Sequence, residues 1–124
     1  MNILDSSGWL AYFTDESNAQ YFLTPLNDPA SLIVPAITIY EVFKVILRES
    51  TENDAFQAAI AMQKGTVVDL TASLAMAASR LSIDCNLPMT DSIILATAHQ
   101  FNATIWTQDS HFENIHNVKY FPKK

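Results

Sequence analysis

The sequence predicts an α/β fold in which helices cover both faces of a central, mostly parallel sheet of four to five strands. Short apolar or β-branched runs alternate with helical segments along all 124 residues, the pattern of a parallel sheet with helical crossovers. The two glycines and five prolines punctuate these short elements. Hydrophobic residues make up 49% of the chain, which favours a compact core. We expect a single domain over residues 1–124.

The first half of the chain reads as strand, helix, helix, strand, helix. Residues 2–4 form a short apolar strand, and one of the two serines after Asp5 is suited to cap the next helix. A second helix is expected over 17–26. The apolar run 31–34 is the next strand. A long helix over 36–48 follows it, because its apolar residues recur along one stripe.

The alternation continues through the middle of the chain. Thr51 has the features of an N-cap, and the helix that it begins is predicted to run to Lys64. Gly65 marks its end, since glycine is the commonest residue just past a helix. Residues 66–70 form a β-branched strand, and Thr71 caps the helix that follows it.

The last third repeats the pattern. Pro88 separates two helices, and Thr90 is suited to cap the second of them. Residues 103–107 form a strand, and a short turn holding Phe112 leads to a final strand over 118–121.

The charge and the cysteine content limit the possible classes of function. The net charge of −6 argues against loose, charge-driven binding of nucleic acid, which needs a basic surface. It leaves open an enzyme acting on phosphates, or a basic partner protein. The single Cys85 cannot form an internal disulfide, which favours a cytoplasmic location. No secretion signal is visible, and the apolar runs are too short for a membrane span.

Four acidic residues lie where this fold would bring them together. They are Asp5, Glu41, Asp91 and Asp109. Two follow strands and two lie in the first turns of helices, and ligands of parallel sheets bind beyond the carboxyl ends of the strands. Carboxylates among apolar residues are costly unless they are compensated, and no Lys or Arg lies beside three of the four. A divalent cation is the natural compensator, and oxygen ligands suit Mg²⁺, with Mn²⁺ as a substitute.

Four sequence segments carry a family resemblance. They are Asn2-Ile3-Leu4-Asp5-Ser6-Ser7, Tyr40-Glu41-Val42, Thr90-Asp91-Ser92-Ile93-Ile94-Leu95-Ala96-Thr97-Ala98 and Thr107-Gln108-Asp109-Ser110-His111-Phe112. Each is weak alone, but together, in this order, they resemble a PIN-domain ribonuclease of the VapC type, the toxin of bacterial toxin–antitoxin pairs. The resemblance implies a three-layer α/β/α fold over the whole chain. Ser92 and Leu95 depart from it, because alanines are usual at those two positions.

The resemblance also implies a reaction and a set of site residues. The reaction is hydrolysis of RNA phosphodiester bonds by metal-activated water, leaving 5′-phosphate and 3′-hydroxyl ends. The implied metal-binding acids are Asp5, Glu41, Asp91 and Asp109, with supporting hydroxyls on Ser6 and Thr107. We expect Asp5 and Asp91 to be the most direct ligands. The number of ions, one or two, stays open, and Glu113 is treated as a surface residue.

The implied partners are an RNA substrate, a cognate antitoxin protein and a second copy of the chain in a homodimer. Structured RNA such as tRNA or ribosomal RNA loops would expose a cleavable single strand. Lys44 and Arg48, four residues apart on one helix, are candidates to contact RNA phosphates, or are simply solvated. The three histidines are not spaced as a metal cluster.

Two other classes of function compete with the nuclease. A phospho-acceptor receiver domain also uses strand-end carboxylates and Mg²⁺, but it would want adjacent acids after the first strand and a lysine after the last strands. Asp5 stands alone, and Gln108 and Ser110 flank Asp109. A catalytically silent PIN-like binding module is the other alternative, and the intact acids argue against it.

Overall fold

The computed structural model describes residues 1–124 and shows parallel strands packed between two layers of helices. The strands are β1 (Asn2–Leu4), β2 (Ile33–Pro35), β3 (Thr66–Val68), β4 (Thr104–Thr107) and β5 (Val118–Tyr120). The α-helices are α1 (Ser6–Phe13), α2 (Leu23–Leu26), α3 (Ala36–Glu49), α4 (Glu52–Met62), α5 (Ala72–Cys85) and α6 (Met89–Phe101). Three short 3₁₀ turns cover Ala19–Phe22, Pro29–Ser31 and Ser110–Phe112.

All strand pairings are parallel, as the alternation of strands and helices predicts. β4 lies between β1 and β5, and Leu4 of β1 is opposite Trp106 of β4. β2 and β3 form a second parallel pair. A parallel bridge between Asn2 and Leu32 links the two sheets, so the five strands follow one another in the order β3, β2, β1, β4, β5.

Helices cover both faces of the strands, which confirms the three-layer prediction. Neighbouring residues of a strand point to opposite faces, and Ile3 and Leu4 of β1 accordingly belong to two different buried clusters. Leu4 packs with apolar side chains of α1, α3 and α4. Ile3 packs with side chains of α6. None of the helices combines the length and the apolar character needed to cross a membrane.

Several local predictions were wrong. The N-cap of α1 is Asp5 and neither of the following serines, because an Asp5 side-chain oxygen accepts a hydrogen bond from Gly8 N at 3.0 Å. Pro88 occupies the N-cap position of α6 and Thr90 lies inside the helix. The expected helix over 17–26 is split into a 3₁₀ turn and α2, because Pro25 has no amide hydrogen for a bond to the preceding turn.

The caps at Thr51 and Thr71 are confirmed, since each hydroxyl accepts a hydrogen bond from the amide three residues on. Gly65, however, does not have the left-handed backbone of a helix-ending glycine. A Cβ there would lie 2.9 Å from Leu32 O and 2.9 Å from Val34 Cγ2. The glycine is therefore required by the close approach of the chain to β2.

Candidate active site

The carboxyl ends of two neighbouring strands bring the first acidic residues together. β1 ends one residue before Asp5, and β4 ends at Thr107, two residues before Asp109. Because β1 and β4 pair in parallel, both ends lie at the same edge of the sheet. The early turns of α3 and α6 add Glu41 and Asp91 to this edge.

Asp5 is almost fully buried, with 2% of its surface exposed, and it is held by three hydrogen bonds. Its Oδ1 accepts from Ser7 Oγ at 2.7 Å and from Gly8 N at 3.0 Å. Its Oδ2 accepts from Thr107 Oγ1 at 2.7 Å. A carboxylate has about four acceptor sites, so Oδ2 keeps the capacity for one further contact.

Burial raises the pKa of Asp5 to about 6, because desolvation disfavours the charged form. The hydrogen bonds from Thr107, Ser7 and Gly8 act in the opposite direction, and the negative charge of Asp109 adds a smaller upward effect. Ionisation of Asp5 in the folded protein therefore costs free energy, and a bound cation would reduce that cost.

Asp109 caps the 3₁₀ turn that follows β4. Its Oδ1 accepts a hydrogen bond from the backbone amide of His111 at 2.9 Å. Its own amide donates to Thr107 Oγ1 at 2.8 Å. The Thr107 hydroxyl therefore contacts both Asp5 and the backbone of Asp109.

Glu41 joins the site through a serine. Ser6 Oγ donates a short hydrogen bond to Glu41 Oε1, and Ser6 directly follows Asp5 in the chain. This contact connects α3 to the end of β1, and the supporting role of Ser6 stays a prediction.

Asp91 lies in the first turn of α6, where it is buried. Its Oδ2 lies 3.0 Å from Nδ1 of His111, and the same nitrogen lies 3.0 Å from Oδ1 of Asp109. The imidazole thus bridges two of the predicted acids. The ligand atoms of Asp91, Asp109 and His111 all lie within 4.8 Å of one another.

The pKa values of this group reflect its crowding. The pKa of Asp91 is raised to about 7, first by burial and then by the negative charges of Asp109 and Asp5, while His111 opposes the shift. The pKa of His111 is raised above its usual range, first of all by the charge of Asp109. The site therefore holds more negative charge than its residues can neutralise.

The composition of the site suits a divalent cation. Its donors are mainly carboxylate oxygens, the ligands preferred by hard cations, and none of the four acids pairs with a Lys or Arg. The tight group contains Asp91 and Asp109 but not Asp5 or Glu41. The expectation that Asp5 is among the most direct ligands stays a prediction.

Sequence reasoning missed His111, because the histidines were judged by their spacing from one another. Its position two residues after Asp109 was the available signal. Sequence reasoning also missed Ser7, which donates to Asp5 and accepts a hydrogen bond from the Gln108 amide at 3.2 Å. Gln108 is itself buried, and its side-chain amide donates to Ser7 O at 3.2 Å and Glu16 Oε1 at 3.0 Å.

The other predicted residues lie outside this network of hydrogen bonds. Lys44 is exposed and its Nζ lies 5.7 Å from the ring centre of Tyr40. Arg48 pairs with Glu49 at 3.2 Å on the exposed surface. Their contact with RNA stays a prediction, and Glu113 is exposed, as expected.

An open groove of about 440 Å³ adjoins the acids. Its lining residues are Ser7, Gln108, Asp109, Ser110, Tyr120 and Lys123. Asp109 and the positively charged side chain of Lys123 therefore line the same groove.

Comparison with known proteins agrees with this architecture. A family model described as PIN domain matches residues 3–118. A toxin–antitoxin complex from Klebsiella pneumoniae has a chain with 20% identity and a TM-score of 0.83, covering 98% of this chain and 99% of that one. The sarcin–ricin loop cleaving toxin VapC20 of Mycobacterium tuberculosis has 15% identity and a TM-score of 0.80, with 98% and 100% covered.

The DNA-bound VapBC complex of Salmonella typhimurium has a chain with 12% identity and a TM-score of 0.75, covering 98% of each chain. No curated protein matches the chain at a significant level. At these identities the solved structures establish the fold, and they span the same length as this chain.

Proposed function

Because this chain belongs to the PIN-domain family, we propose that it is a Mg²⁺-dependent endoribonuclease and the toxin of a type II toxin–antitoxin pair. One observation carries the proposal: acids from four separate segments meet at the carboxyl edge of the sheet. They are Asp5, Glu41, Asp91 and Asp109. Their convergence leaves a negative site without a Lys or Arg partner, which supports a cation as the missing component.

In this proposal, Asp91 and Asp109 hold the cation, and Asp5 contributes through the free capacity of its Oδ2. Thr107 and Ser6 orient Asp5 and Glu41, respectively, through the hydrogen bonds that they donate. A bound Mg²⁺ would activate water for attack and neutralise the charge that develops on the phosphate. The open groove beside Asp109 would receive the RNA backbone, and Lys123 would contact a phosphate there.

The decisive experiment is RNA cleavage by the purified protein. We expect cleavage of a pool of tRNA and ribosomal RNA fragments with Mg²⁺, none with EDTA, and recovery when Mg²⁺ is restored. The products should carry 5′-phosphate and 3′-hydroxyl ends, which direct ligation of an adaptor would detect. Cleavage that persists in EDTA, or products with cyclic phosphate ends, would contradict the metal-dependent mechanism.

Two variants separate the site from a contaminating nuclease. Asp91→Asn should abolish cleavage, because it removes a buried carboxylate from the tight group. Asp84→Asn, which changes an exposed aspartate of α5, should leave cleavage intact. If no RNA in the pool is cleaved with Mg²⁺ or Mn²⁺, the binding-module alternative is favoured.

The biological partner in this proposal is an antitoxin that covers the acidic site. A basic side chain of the antitoxin would complement these carboxylates, none of which pairs with a Lys or Arg in this chain. A reading frame next to this gene should encode a short DNA-binding protein. We expect its co-expression to relieve the growth arrest caused by this chain, and no arrest from the Asp91→Asn variant.

A homodimer is the proposed assembly. Met76 and Ile83 of α5 are 70% and 83% exposed and line the same surface pocket, and contiguous apolar exposure often marks a protein–protein interface. Light scattering on the purified protein, alone and with the antitoxin, would give the stoichiometry of each state.

A further inference from the structure

We propose that Nδ1 of His111 is a ligand of the divalent cation, so that the site prefers Mn²⁺ to Mg²⁺ more strongly than a site of carboxylates alone would. This inference rests on the proposed metal-dependent function and adds a nitrogen donor to it. It concerns His111, which lies in the fourth of the sequence segments named above but is not one of the four predicted acids.

The position of His111 is set by the backbone of the site itself. Its amide donates to Asp109 Oδ1 at 2.9 Å within the capped turn after β4. Its Nδ1 then lies 3.0 Å from that same oxygen and 3.0 Å from Asp91 Oδ2. The side chain is 54% exposed while that of Asp91 is 12% exposed, so the imidazole closes the group from the solvent side.

These distances fit a shared cation. In an octahedral site with bonds of about 2.1 Å, neighbouring ligand atoms lie roughly 3 Å apart. Nδ1 has that separation from one oxygen of each carboxylate. Once this nitrogen loses its proton, its lone pair points towards the place where the two carboxylates already converge.

The competing role for His111 is that of a counter-cation which a metal ion would displace. In that role the imidazole would swing away on metal binding, and its loss would change the affinities for Mg²⁺ and Mn²⁺ equally. If His111 is a ligand, its loss would change the affinities for Mn²⁺ and Mg²⁺ unequally, because imidazole suits transition metals, whereas Mg²⁺ prefers oxygen.

Pulsed electron paramagnetic resonance of the Mn²⁺-loaded protein tests the bond directly. We expect a ¹⁴N coupling from a directly bound nitrogen in the natural chain, its loss in His111→Gln, and its retention in His116→Gln. His116 is also an exposed histidine in the same segment, which makes it the matched control. Spectra are to be recorded in mildly alkaline buffer, so that the imidazole is neutral.

Calorimetric titration with MnCl₂ and with MgCl₂ gives the second readout. In His111→Gln, the ratio of the Mn²⁺ affinity to the Mg²⁺ affinity should be about tenfold lower than in the natural chain. The same ratio in His116→Gln should match that of the natural chain. Bound Mn²⁺ without ¹⁴N coupling in the natural chain would overturn the inference, even if His111→Gln failed to fold.

The two proposals fail differently. If Mn²⁺ binds without nitrogen coupling while RNA cleavage still requires Mg²⁺, only the role of His111 is refuted. If Mn²⁺ binds with nitrogen coupling but no RNA is cleaved with either ion, the ligand stands and the ribonuclease proposal fails. If neither ion binds, both are refuted.

Discussion

The hydroxyl of Thr107 donates a hydrogen bond of 2.7 Å to Oδ2 of Asp5, although the two residues are 102 positions apart in the chain. The parallel pairing of β1 with β4 creates this contact, because both residues lie at the ends of neighbouring strands. The same hydroxyl accepts the Asp109 amide at 2.8 Å. One side chain thus sets the position of two of the acids.

We predict that Thr107→Val lowers the affinity for Mg²⁺ about 10- to 100-fold, the usual effect of removing a residue that orients a metal ligand. It should also lower the free energy of unfolding by about 1–3 kcal/mol, because a buried carboxylate oxygen and a backbone amide lose their partner. Calorimetric titration and urea unfolding would measure the two effects.

Thr104→Val is the matched control for this change. Thr104 lies on the same strand, but its hydroxyl donates only to the exposed side chain of Asn117. We expect its metal affinity to match that of the natural chain. Equal losses of affinity in the two variants would show that Thr107 does not act through the site.

The charge repulsion within the site predicts an unusual stability effect. In the absence of metal, Asp91→Asn should be at least as stable as the natural chain above neutral pH, because it removes a buried charge whose pKa is raised to about 7. Most substitutions at buried positions are destabilising. Thermal melting in EDTA measures this, with Asp84→Asn as the exposed control.

A clear fall in the melting temperature of metal-free Asp91→Asn would contradict a site dominated by repulsion. Addition of Mg²⁺ should raise the melting temperature of the natural chain and of Asp84→Asn. The rise in melting temperature should be much smaller for Asp91→Asn, since only a protein that binds the ion is stabilised by it.

The same pKa values predict how metal-free stability depends on pH. Asp5 and Asp91 have ordinary values near 3.8 but about 6 and about 7 in the folded protein, and the pKa of His111 is also raised when folded. The folded state therefore binds more protons than the unfolded state across this window. It follows that the site's contribution to stability falls as the pH rises from about 4 to about 7.

The measurement is the difference in unfolding free energy between the natural chain and Asp91→Asn, taken in EDTA over this pH range. We expect that difference to shift in favour of the variant as the pH rises. A difference that is constant with pH would mean that Asp91 titrates normally in the folded protein.

The sequence was sufficient for the fold and for the convergence of the acids, because both follow from a regular alternation. Short apolar strands alternate with helices along the chain, and the parallel pairing of β1 with β4 places Asp5 and Asp109 at one edge of the sheet. The resemblance to PIN-domain ribonucleases gave the same four acids. Periodicity was equally sufficient for α3, whose observed bounds differ from the prediction by one residue.

The details that could not be predicted from the sequence depend on where a short helix begins and on how a short turn is oriented. Whether Ser6 or Ser7 faces Asp5 depends on where α1 begins. Because Asp5 is the N-cap, α1 begins at Ser6, one residue earlier than it would with Ser6 as the cap. The contact of His111 with Asp91 depends on a 3₁₀ turn of three residues, and no pattern of apolar residues reports the rotation of so short an element.

The two serines after Asp5 should therefore respond differently to removal of their hydroxyls. Ser7→Ala removes a hydrogen bond of 2.7 Å to Asp5 and the acceptor of the Gln108 amide. It should raise the pKa of Asp5 above about 6, because the lost bond favoured the charged form, and should cost about 1–3 kcal/mol of stability.

Ser6→Ala should leave the pKa of Asp5 unchanged and reduce RNA cleavage, because it releases Glu41. Carboxyl ¹³C titration by NMR in the metal-free protein distinguishes the two, and equal shifts of the Asp5 resonance would refute the separate roles.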